Sequence, residues 1–339
     1  MLLALDAMGG DHGPAAVVPA AVAALRQHPD LHLILVGREE ALEKVLASYN
    51  GVRRDRLAIR HSSQEVGMDE APSQALRTKK DSSMRVAIDL VKAGAADACV
   101  SAGNTGALVA TARFVLKMLP GIERPAICSA MPAATRGHSR VLDLGANVDS
   151  TPEQLLQFAL MGVALTSAVD NKPAPSVALL NVGVEEIKGH DQVKGAAALL
   201  AQSNLNYVGF VEGDDIYEGA VDVIVCDGFV GNIALKASEG VARMLMRFAR
   251  DEFLRTPLSR LAAWVSKPVL RAVMERLDPR QYNGASLLGL RGIVIKSHGG
   301  ADAISFANAI EEAMLEVKKG VPERISGELQ VIFDERRAV

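Results

Sequence analysis

Residues 221–245 have the sequence VDVIVCDGFVGNIALKASEGVARML, in which a short apolar run meets a glycine turn and then a helical pattern. The run from Val221 to Val225 is rich in β-branched residues and predicts a buried strand. Gly228 and Gly231 mark the turn, and the helical pattern continues to about Phe248. Glycines between a strand and a helix let the backbone approach a ligand and leave the first helical N–H groups free, which favours binding of a phosphate.

An earlier stretch repeats this unit. Residues 96–110, ADACVSAGNTGALVA, align without gaps with the first fifteen residues of the later unit, so that Gly103 and Gly106 match Gly228 and Gly231. Ligands of open α/β sheets bind at the carboxyl ends of the strands. We therefore expect the two glycine turns to meet at one edge of the sheet. The structural alternative, two ordinary tight turns, accounts for a single GxxG at least as well.

The rest of the chain alternates predicted strands and helices and contains no linker or low-complexity segment. The β-α-β-α-β pattern at the start predicts a largely parallel sheet covered by helices on both faces. Pro14, the run Asp81-Ser82-Ser83 and Thr151 each lie where a helix is expected to begin. We predict a single three-layer α/β/α domain over residues 1–339, with one inserted helical arm at 253–280.

The arm breaks the alternation because residues 253–280 carry no strand signal and contain two helix starts, Thr256-Pro257 and Ser266-Lys267-Pro268. Six basic and two acidic residues give the arm a charge of +4 on a chain whose total is -3. The only tryptophan, Trp264, also lies here. A basic amphipathic hairpin with a tryptophan suits an anionic membrane surface, whereas its apolar stripes suit packing in a dimer equally well.

Composition excludes several classes of protein. The net charge of -3 and the 4% aromatic content argue against a nucleic-acid binder. The three cysteines lie in strand-like runs, which suits a reducing compartment. The N-terminus has no basic region typical of a signal peptide, and no apolar run approaches the roughly 18 residues of a membrane span. We expect a cytoplasmic protein.

Several familiar catalytic motifs are absent. No G-x-G-x-x-G follows the first strand, no GK[ST] loop occurs, and residues 284–289 do not have the spacing of a G-x-S-x-G elbow. The seven histidines are scattered without the spacing of metal ligands. We therefore expect neither a metal nor a cofactor.

Polar side chains near the predicted turns are the candidates for chemistry. Asn232 adds amide donors directly after Gly231, and Lys236 adds a positive charge one turn later if its side chain reaches back. Lys188 lies in the polar loop that follows the strand predicted at 177–180. A single lysine in a loop is usually solvated surface, but at the edge of the sheet that carries the glycine turns it favours contact with an anion.

Two further side chains have open interpretations. His298 precedes Gly299 in a turn that opens a helix, where it suits either a hydrogen-bond donor and general acid or a turn histidine bonded to its own backbone. Cys226 ends a strand before the glycine turn and is a possible thiolate nucleophile, although cysteine there is more often a small buried hydrophobe. The remaining donors and cations suit a reaction in which phosphate is both the ligand and the attacking group.

Five motifs resemble those of a known family in the same order along the chain: LDAMGGDHGP at the start, SAGNTGA at 101–107, NVGVEEIKG at 181–189, CDGFVGNIALK at 226–236 and SHGGAD at 297–302. This family is PlsX, the bacterial phosphate acyltransferases of phospholipid synthesis. The resemblance implies an isopropylmalate-dehydrogenase-like α/β/α fold and a homodimer. It also implies transfer of a long fatty acyl group from acyl-[acyl carrier protein] to inorganic phosphate at the inner face of the membrane, with a membrane glycerol-3-phosphate acyltransferase receiving the product.

The resemblance also implies roles for individual residues. Lys188 and Asn232 are the expected catalytic residues. The residues expected to bind the phosphate and the carbonyl are Gly103, Asn104, Thr105, Gly106, Gly228, Gly231, His298 and Gly299. The residues of the arm expected to contact membrane or carrier protein are Leu258, Leu261, Trp264, Val265 and Arg271.

Three alternatives to direct attack by phosphate on the acyl-carrier thioester remain. One routes the acyl group through Cys226 as an acyl-enzyme. Another is a phosphotransacetylase-like enzyme that uses coenzyme A thioesters. The last is a non-enzymatic peripheral membrane protein that binds anionic lipid through the arm.

Overall fold

The computed structural model describes residues 1–135, 137–270 and 279–338. The strands are β1 Leu2–Asp6, β2 His32–Gly37, β3 Leu57–His61, β4 Ala98–Ser101, β5 Ala126–Pro132, β6 His138–Leu142, β7 Ser176–Leu180, β8 Asn206–Val211, β9 Val223–Val225, β10 Ala285–Leu288 and β11 Ile293–Lys296. The helices are α1 Pro14–Gln27, α2 Glu39–Leu46, α3 Pro72–Thr78, α4 Ser83–Lys92, α5 Thr105–Leu116, α6 Pro152–Asp170, α7 Asp191–Ala201, α8 Gly228–Leu254, α9 Pro257–Val265, α10 Ala303–Lys319 and α11 Val321–Ala338.

These strands form one sheet in the order β3-β2-β1-β4-β11-β10-β5-β6-β9-β7-β8. The strands from β3 to β11 form one parallel block, and β6, β9, β7 and β8 form another. Three antiparallel pairings separate the blocks: β11 with β10, β10 with β5, and β5 with β6. An odd number of reversals makes the two blocks run in opposite directions. We call the edge where β1, β4 and β11 end the upper edge, and the edge where β6, β7 and β9 end the lower edge.

Helices cover both faces of the sheet, which confirms the three-layer α/β/α prediction. Side chains alternate between the faces along each strand. On β1, for example, Leu3 and Leu5 pack against α1 and α10, whereas Ala4 packs in the layer that contains α4 and α5. The second parallel block packs against α6 and α11 on the first of these faces. On the other face, α8 contributes only the partly buried Ala234 and Leu235 to the core, so most of its surface stays exposed.

Local sequence signals placed several helix starts correctly. Pro14 is the first residue of α1, and Ser82 accepts a hydrogen bond from the Arg85 N–H at the start of α4. Thr151 forms a capping box with Gln154 at the start of α6. Each contact satisfies N–H groups that a helix leaves without an intrahelical acceptor.

The sequence prediction missed β10 and with it the antiparallel centre of the sheet. The four residues of β10 lie between Gly284 and Gly289, and the sequence there is too short for a period to be recognised. Both glycines have positive φ, of +119° and +89°, and these turns let the chain enter and leave the sheet within a few residues.

The arm is partly described. Helix α8 runs unbroken to Leu254 rather than to about Phe248, and α9 begins at Pro257 behind a capping box formed by Thr256 and Ser259, as predicted. Residues 267–270 are again helical. The expected contact residue Arg271 lies outside the described residues. Within the described ranges, no helix is both long enough and apolar enough to cross a membrane.

Candidate functional site

The opposite directions of the two parallel blocks separate the predicted glycine turns. Gly103 and Gly106 follow β4 and lie at the upper edge, whereas Gly228 and Gly231 follow β9 and lie at the lower edge. The expectation that the two turns meet at one edge is therefore wrong. The reason is the antiparallel centre, which reverses the second block relative to the first.

The upper edge is a compact set of loops after three neighbouring strands, β1, β4 and β11. The Ser101 hydroxyl donates to Asp6 Oδ2 at 2.6 Å. The Asp11 N–H donates to the Gly299 carbonyl at 2.8 Å, and the Ser297 N–H donates to the Ser101 carbonyl at 2.9 Å. The loops lead into α1, α5 and α10, so three helix N-termini begin at this edge, an arrangement that favours an anion.

One glycine of these loops is sterically required. Gly10 has a φ of +84°, and a Cβ atom there would lie 2.7 Å from the Gly299 carbonyl oxygen and 2.9 Å from Ala102 Cβ. A larger residue would push the β1 loop away from the β11 loop. The close approach of Gly10 to Gly299 therefore fixes the shape of the upper edge.

Asn104 at the upper edge has a structural role. Its Oδ1 accepts the Ala107 N–H at 3.0 Å and caps α5, while its amide nitrogen donates to the carbonyls of Met68 at 2.8 Å and Glu70 at 3.1 Å. Both ends of the side-chain amide are thus engaged within the protein. The N–H groups of Thr105 and Gly106, in the first turn of α5, have no intrahelical acceptor. Their predicted part in binding an anion stays a prediction.

His298 is held as a donor toward α8. Its Nδ1 accepts the Gly300 N–H at 3.0 Å, so in the neutral ring Nε2 carries the proton. Nε2 lies 3.9 Å from Glu239 Oε2 on α8. Burial lowers the pKa of His298, Lys236 and Lys296 lower it further, and Glu239 opposes the shift. The ring is therefore neutral at neutral pH and can donate a hydrogen bond.

Lys296 is a candidate functional residue that the sequence reasoning missed. It is only 9% exposed, and its Nζ donates to the carbonyls of Ser297 and, at 3.4 Å, Ala102. Among the described residues, no carboxylate lies within ion-pair distance of it. Burial and the nearby Lys236 lower the pKa of Lys296 to about 8, although Asp6 and Asp11 oppose the shift. The only signal in the sequence was a lysine that ends an apolar strand directly before the glycine turn.

At the lower edge, the buried Asp143 carboxylate accepts N–H groups of the loop that follows β6 and of the start of β5. Asp143 Oδ1 accepts N–H groups from Ile127 at 2.9 Å and Ala146 at 3.0 Å, and Oδ2 accepts the backbone and side-chain N–H groups of Asn147 at 2.7 and 2.9 Å. Burial raises the pKa of Asp143, and these hydrogen bonds oppose the shift. A Cβ atom at Gly231 would lie 1.9 Å from the Asp143 carbonyl oxygen. Gly231 therefore lets α8 pack directly on this loop.

Lys188 and Asn232 lie at this same lower edge, after the neighbouring strands β7 and β9. Lys188 Nζ is 2.8 Å from Glu185 Oε2, and its side chain is 46% exposed. The Asn232 side chain packs against Gly145, and its amide makes no hydrogen bond within the described part of the chain. A cleft of about 680 Å³ opens nearby, lined by Val148, Asp149, His190, Asp191, Gln192, Asp227, Phe229 and Val230, but by neither Lys188 nor Asn232.

Helix α8 connects the two edges. Asn232, Lys236 and Glu239 are spaced i, i+4 and i+7 and so share one face of the helix. Glu239 Oε2 lies 3.1 Å from Lys236 Nζ and, at the upper edge, 3.9 Å from His298 Nε2. Because a helix rises about 1.5 Å per residue, Asn232 lies about 6 Å along the axis from Lys236. The face that starts at Asn232 thus leads to the upper edge.

The geometry argues against Cys226 as a nucleophile. The residue is 4% exposed, and burial raises the pKa of its thiol well above the ordinary value, as do Asp143 and Asp227. Its S–H group donates to the carbonyl oxygen of Asp143, which lies 3.6 Å from the Sγ atom. The thiolate needed for attack is disfavoured. The interpretation of Cys226 as a small buried side chain is the one that the structure supports.

The arm residues of the sequence prediction are exposed. Leu258 and Trp264 are 76% and 73% exposed, and Leu261 and Val265 are more than half exposed. On α8, Val241, Leu245 and Phe248 are also more than half exposed, and so is Phe229 in the first turn of that helix. In the ranges that the structure describes, no group of histidine, cysteine and carboxylate side chains is arranged to hold a metal ion.

Comparison with solved structures relates this fold to one group of acyl-transfer enzymes. A phosphotransacetylase from Streptococcus pyogenes superposes with a TM-score of 0.62 at 19% identity and covers 94% of both chains. The EutD phosphotransacetylase from Staphylococcus aureus superposes with a TM-score of 0.58 at 16% identity, again over 94% of both chains. At these identities, the likeness establishes a shared fold.

Comparison of sequences establishes the class and then the family. A protein of Nitrosococcus oceani named phosphate acyltransferase is 60% identical over 337 residues, 99% of each chain. One of the same name from Methylococcus capsulatus is 61% identical over 334 residues, 98% of each chain. The chain is therefore an acyltransferase. Residues 1–324 match the model of the fatty acid synthesis protein family, to which the chain belongs, and the resemblance to PlsX is confirmed.

Proposed function

We propose that the protein transfers a long-chain acyl group from acyl-[acyl carrier protein] to inorganic phosphate, forming acyl phosphate for phospholipid synthesis. The relatives' name, phosphate acyltransferase, supports acyl transfer to phosphate. The observation that carries the proposal is the combination of a cation-bearing, donor-rich upper edge with cysteines that are all buried. Such a site suits attack by phosphate itself more than attack by a protein nucleophile.

In the proposed reaction, an oxygen of hydrogenphosphate attacks the thioester carbonyl carbon. A C–O bond forms, the C–S bond breaks, and the carrier leaves as a thiolate. The proton of hydrogenphosphate ends on this thiolate, so the products are acyl phosphate and free carrier thiol. No external reductant, oxidant or metal is needed for the balance.

The developing oxyanion requires donors that are in place before the reaction. We assign this role to the Asn232 amide, which faces solvent on α8 and has no partner among the described residues. Lys188 supplies positive charge to the reacting centre, and His298 donates through Nε2 from the upper edge. The N–H groups of Thr105 and Gly106 complete the set.

The direct test incubates the purified protein with acyl carrier thioester and phosphate and measures acyl phosphate as the hydroxamate formed with hydroxylamine. Formation that depends on both substrates supports the proposal. Release of free fatty acid without any acyl phosphate, in the presence of phosphate, would contradict it.

A phosphotransacetylase-like enzyme that uses acyl-CoA is the second candidate, because phosphotransacetylases share this fold. The match to the fatty acid synthesis protein family favours the long-chain acyl donor. The same assay with acetyl-CoA separates the two. A rate with acetyl-CoA equal to or above the rate with the long-chain carrier thioester would favour the second candidate.

We further propose a homodimer at the cytoplasmic face of the inner membrane, with the membrane glycerol-3-phosphate acyltransferase as recipient of the product. The support is the set of apolar side chains on α9 that are more than half exposed, namely Leu258, Leu261, Trp264 and Val265. The basic arm residues Arg255 and Arg260 suit an anionic lipid surface or an acidic carrier.

A further inference from the structure

We propose that the phosphate substrate binds at the upper edge, between Lys296 of β11 and Lys236 of α8. This inference rests on the proposed function and deepens it, because it names the residues that bind the acceptor. It also assigns the main contact with phosphate to Lys296 and Lys236 instead of Lys188.

A buried lysine without a carboxylate partner is costly, because its charge loses hydration that carbonyl groups replace only in part. Lys296 is 9% exposed, and within the described ranges its ammonium group hydrogen-bonds to the carbonyls of Ala102 and Ser297 alone. A stable fold could have used an apolar residue at the end of this strand. A buried, unpaired ammonium group at the carboxyl end of a parallel strand is instead typical of a position that meets an anionic ligand.

A second cation lies close to the first. Lys236 Nζ lies 3.1 Å from Glu239 Oε2, and the same oxygen lies 3.9 Å from Nε2 of His298, which is two residues after Lys296. Lys236 on α8 and Lys296 on β11 are thus brought together from separate elements, and Lys236 lowers the pKa of Lys296. Like charges held close together repel unless an anion lies between them. Phosphate, with about two negative charges at neutral pH, would relieve the repulsion and bridge both ammonium groups.

The other charged groups near Lys296 do not neutralise it. Asp6 is buried and its carboxylate is already hydrogen-bonded to Ser101 at 2.6 Å and to the Gly9 N–H at 3.2 Å. Asp11 acts on Lys296 at longer range, since it forms no ion pair with it within 4.0 Å among the described residues. On α8, Glu239 contacts Lys236 at 3.1 Å. The Lys236 side chain is 53% exposed, so it can leave Glu239 for a stronger anion.

The proposed position also suits the reaction. Asn232 lies on the face of α8 that carries Lys236, about 6 Å away along the helix axis. Phosphate bound between Lys236 and Lys296 would therefore lie beside a thioester carbonyl that accepts from Asn232. In contrast, Lys188 is paired with Glu185 and lies near a second carboxylate, Glu212. Lys236 is also paired, but it lies near the buried Lys296, so we expect Lys188 to be the weaker site for ground-state binding.

The test measures equilibrium binding of radiolabelled phosphate, and the KM for phosphate and for the acyl carrier thioester, in four proteins: wild type, Lys296→Met, Lys236→Met and the control Lys92→Met. Lys92 is an exposed lysine in the last turn of α4, away from the upper edge. Thermal unfolding checks that each variant is folded. Lys236→Met keeps the test valid if Lys296→Met fails to fold, since Lys236 is half exposed.

Because each variant removes a charged hydrogen bond to phosphate, we expect Lys296→Met and Lys236→Met each to weaken phosphate binding by about ten- to a hundredfold. The KM for the acyl carrier thioester should change less than threefold, and Lys92→Met should behave as wild type. Normal phosphate binding in a folded Lys296→Met or Lys236→Met variant would overturn the inference. If wild type binds phosphate but forms no acyl phosphate, the proposed function fails while the binding site stands.

Discussion

The upper and lower edges of the sheet carry the same local pattern and use it differently. Each has a buried aspartate at a strand end, glycine-containing turns and a helix N-terminus. At the lower edge, Asp143 accepts N–H groups of its own loop and of Ile127, and the nearby cation Lys188 is exposed and paired. At the upper edge, Lys296 is buried without a carboxylate partner among the described residues. The glycine pattern by itself therefore does not mark a binding site. The upper edge is distinguished by a buried cation, Lys296, that can neutralise a bound anion.

The largest expected effect concerns the residue that links the two edges. Asn232→Ala should lower kcat by about 10² to 10³, because it removes one preorganised donor to the oxyanion. Lys188→Ala should also lower kcat, because it removes positive charge at the reacting centre. The control Gln202→Ala removes an exposed amide after α7 and should leave kcat unchanged. Steady-state kinetics on folded proteins decides, and near-normal rates in both variants would remove Asn232 and Lys188 from the mechanism.

A smaller effect is expected at the lower-edge turn, where the glycine serves packing. Gly231→Ala should lower the free energy of unfolding by about 1 to 3 kcal/mol, because its Cβ would overlap the Asp143 carbonyl, whereas Gly240→Ala has open space around it. Since alanine favours a helix interior, Gly240→Ala should stabilise the protein by about 0.5 to 1 kcal/mol. Urea unfolding measures both. Equal stabilities would mean that α8 does not pack on the Asp143 loop as described.

The upper edge should respond to pH through Lys296, whose pKa is lowered to about 8 by burial and by Lys236 against the opposing pull of Asp6 and Asp11. Lys296 is cationic below this pH and loses its charge above it. The kcat/KM for phosphate should therefore fall by up to about tenfold per pH unit above pH 8. The Lys296→Met variant should be less active, and its kcat/KM for phosphate should not fall above pH 8. If kcat/KM for phosphate fell above pH 8 in Lys296→Met as it does in wild type, the fall would be due to another titrating group.

The smallest effect on the enzyme itself is expected in the arm, whose α9 side chains are exposed. Trp264→Gln and Leu261→Gln change exposed side chains, so unfolding free energies should stay within about 0.5 kcal/mol of wild type. Activity on soluble substrate should stay normal, while binding to anionic vesicles should weaken. The control Val208→Gln changes an exposed side chain of edge strand β8. Vesicle binding that is unaffected by Trp264→Gln would leave the arm with a packing or dimer role.

Much of the fold was predictable because it depends on local signals. Apolar runs such as 221–225 predicted strands, and caps such as Thr151 predicted helix starts. The direction of the second block was not predictable, since it depends on β10, whose four residues carry no periodic signal. Because β10 was not predicted, Gly228 and Gly231 were expected at the same edge as Gly103. In the structure they lie at the opposite edge.

The candidate site was predictable only in part for a similar reason. Glycines, His298 and Asn232 are visible as motifs, but the role of Asn104 as a cap is set by its contacts with Met68 and Glu70. Lys296 was hidden because burial and the absence of a nearby carboxylate are tertiary properties. A lysine at a strand end is ordinary until its surroundings are known.

The position of a bound anion decides between the upper and the lower edge as the phosphate site. Crystals of the protein soaked in arsenate, a phosphate analogue with an anomalous X-ray signal, would locate the anion without reference to activity. We predict an anomalous peak within hydrogen-bond distance of both Lys296 Nζ and Lys236 Nζ at the upper edge. A peak beside Lys188 at the lower edge, with none at Lys296, would contradict the account.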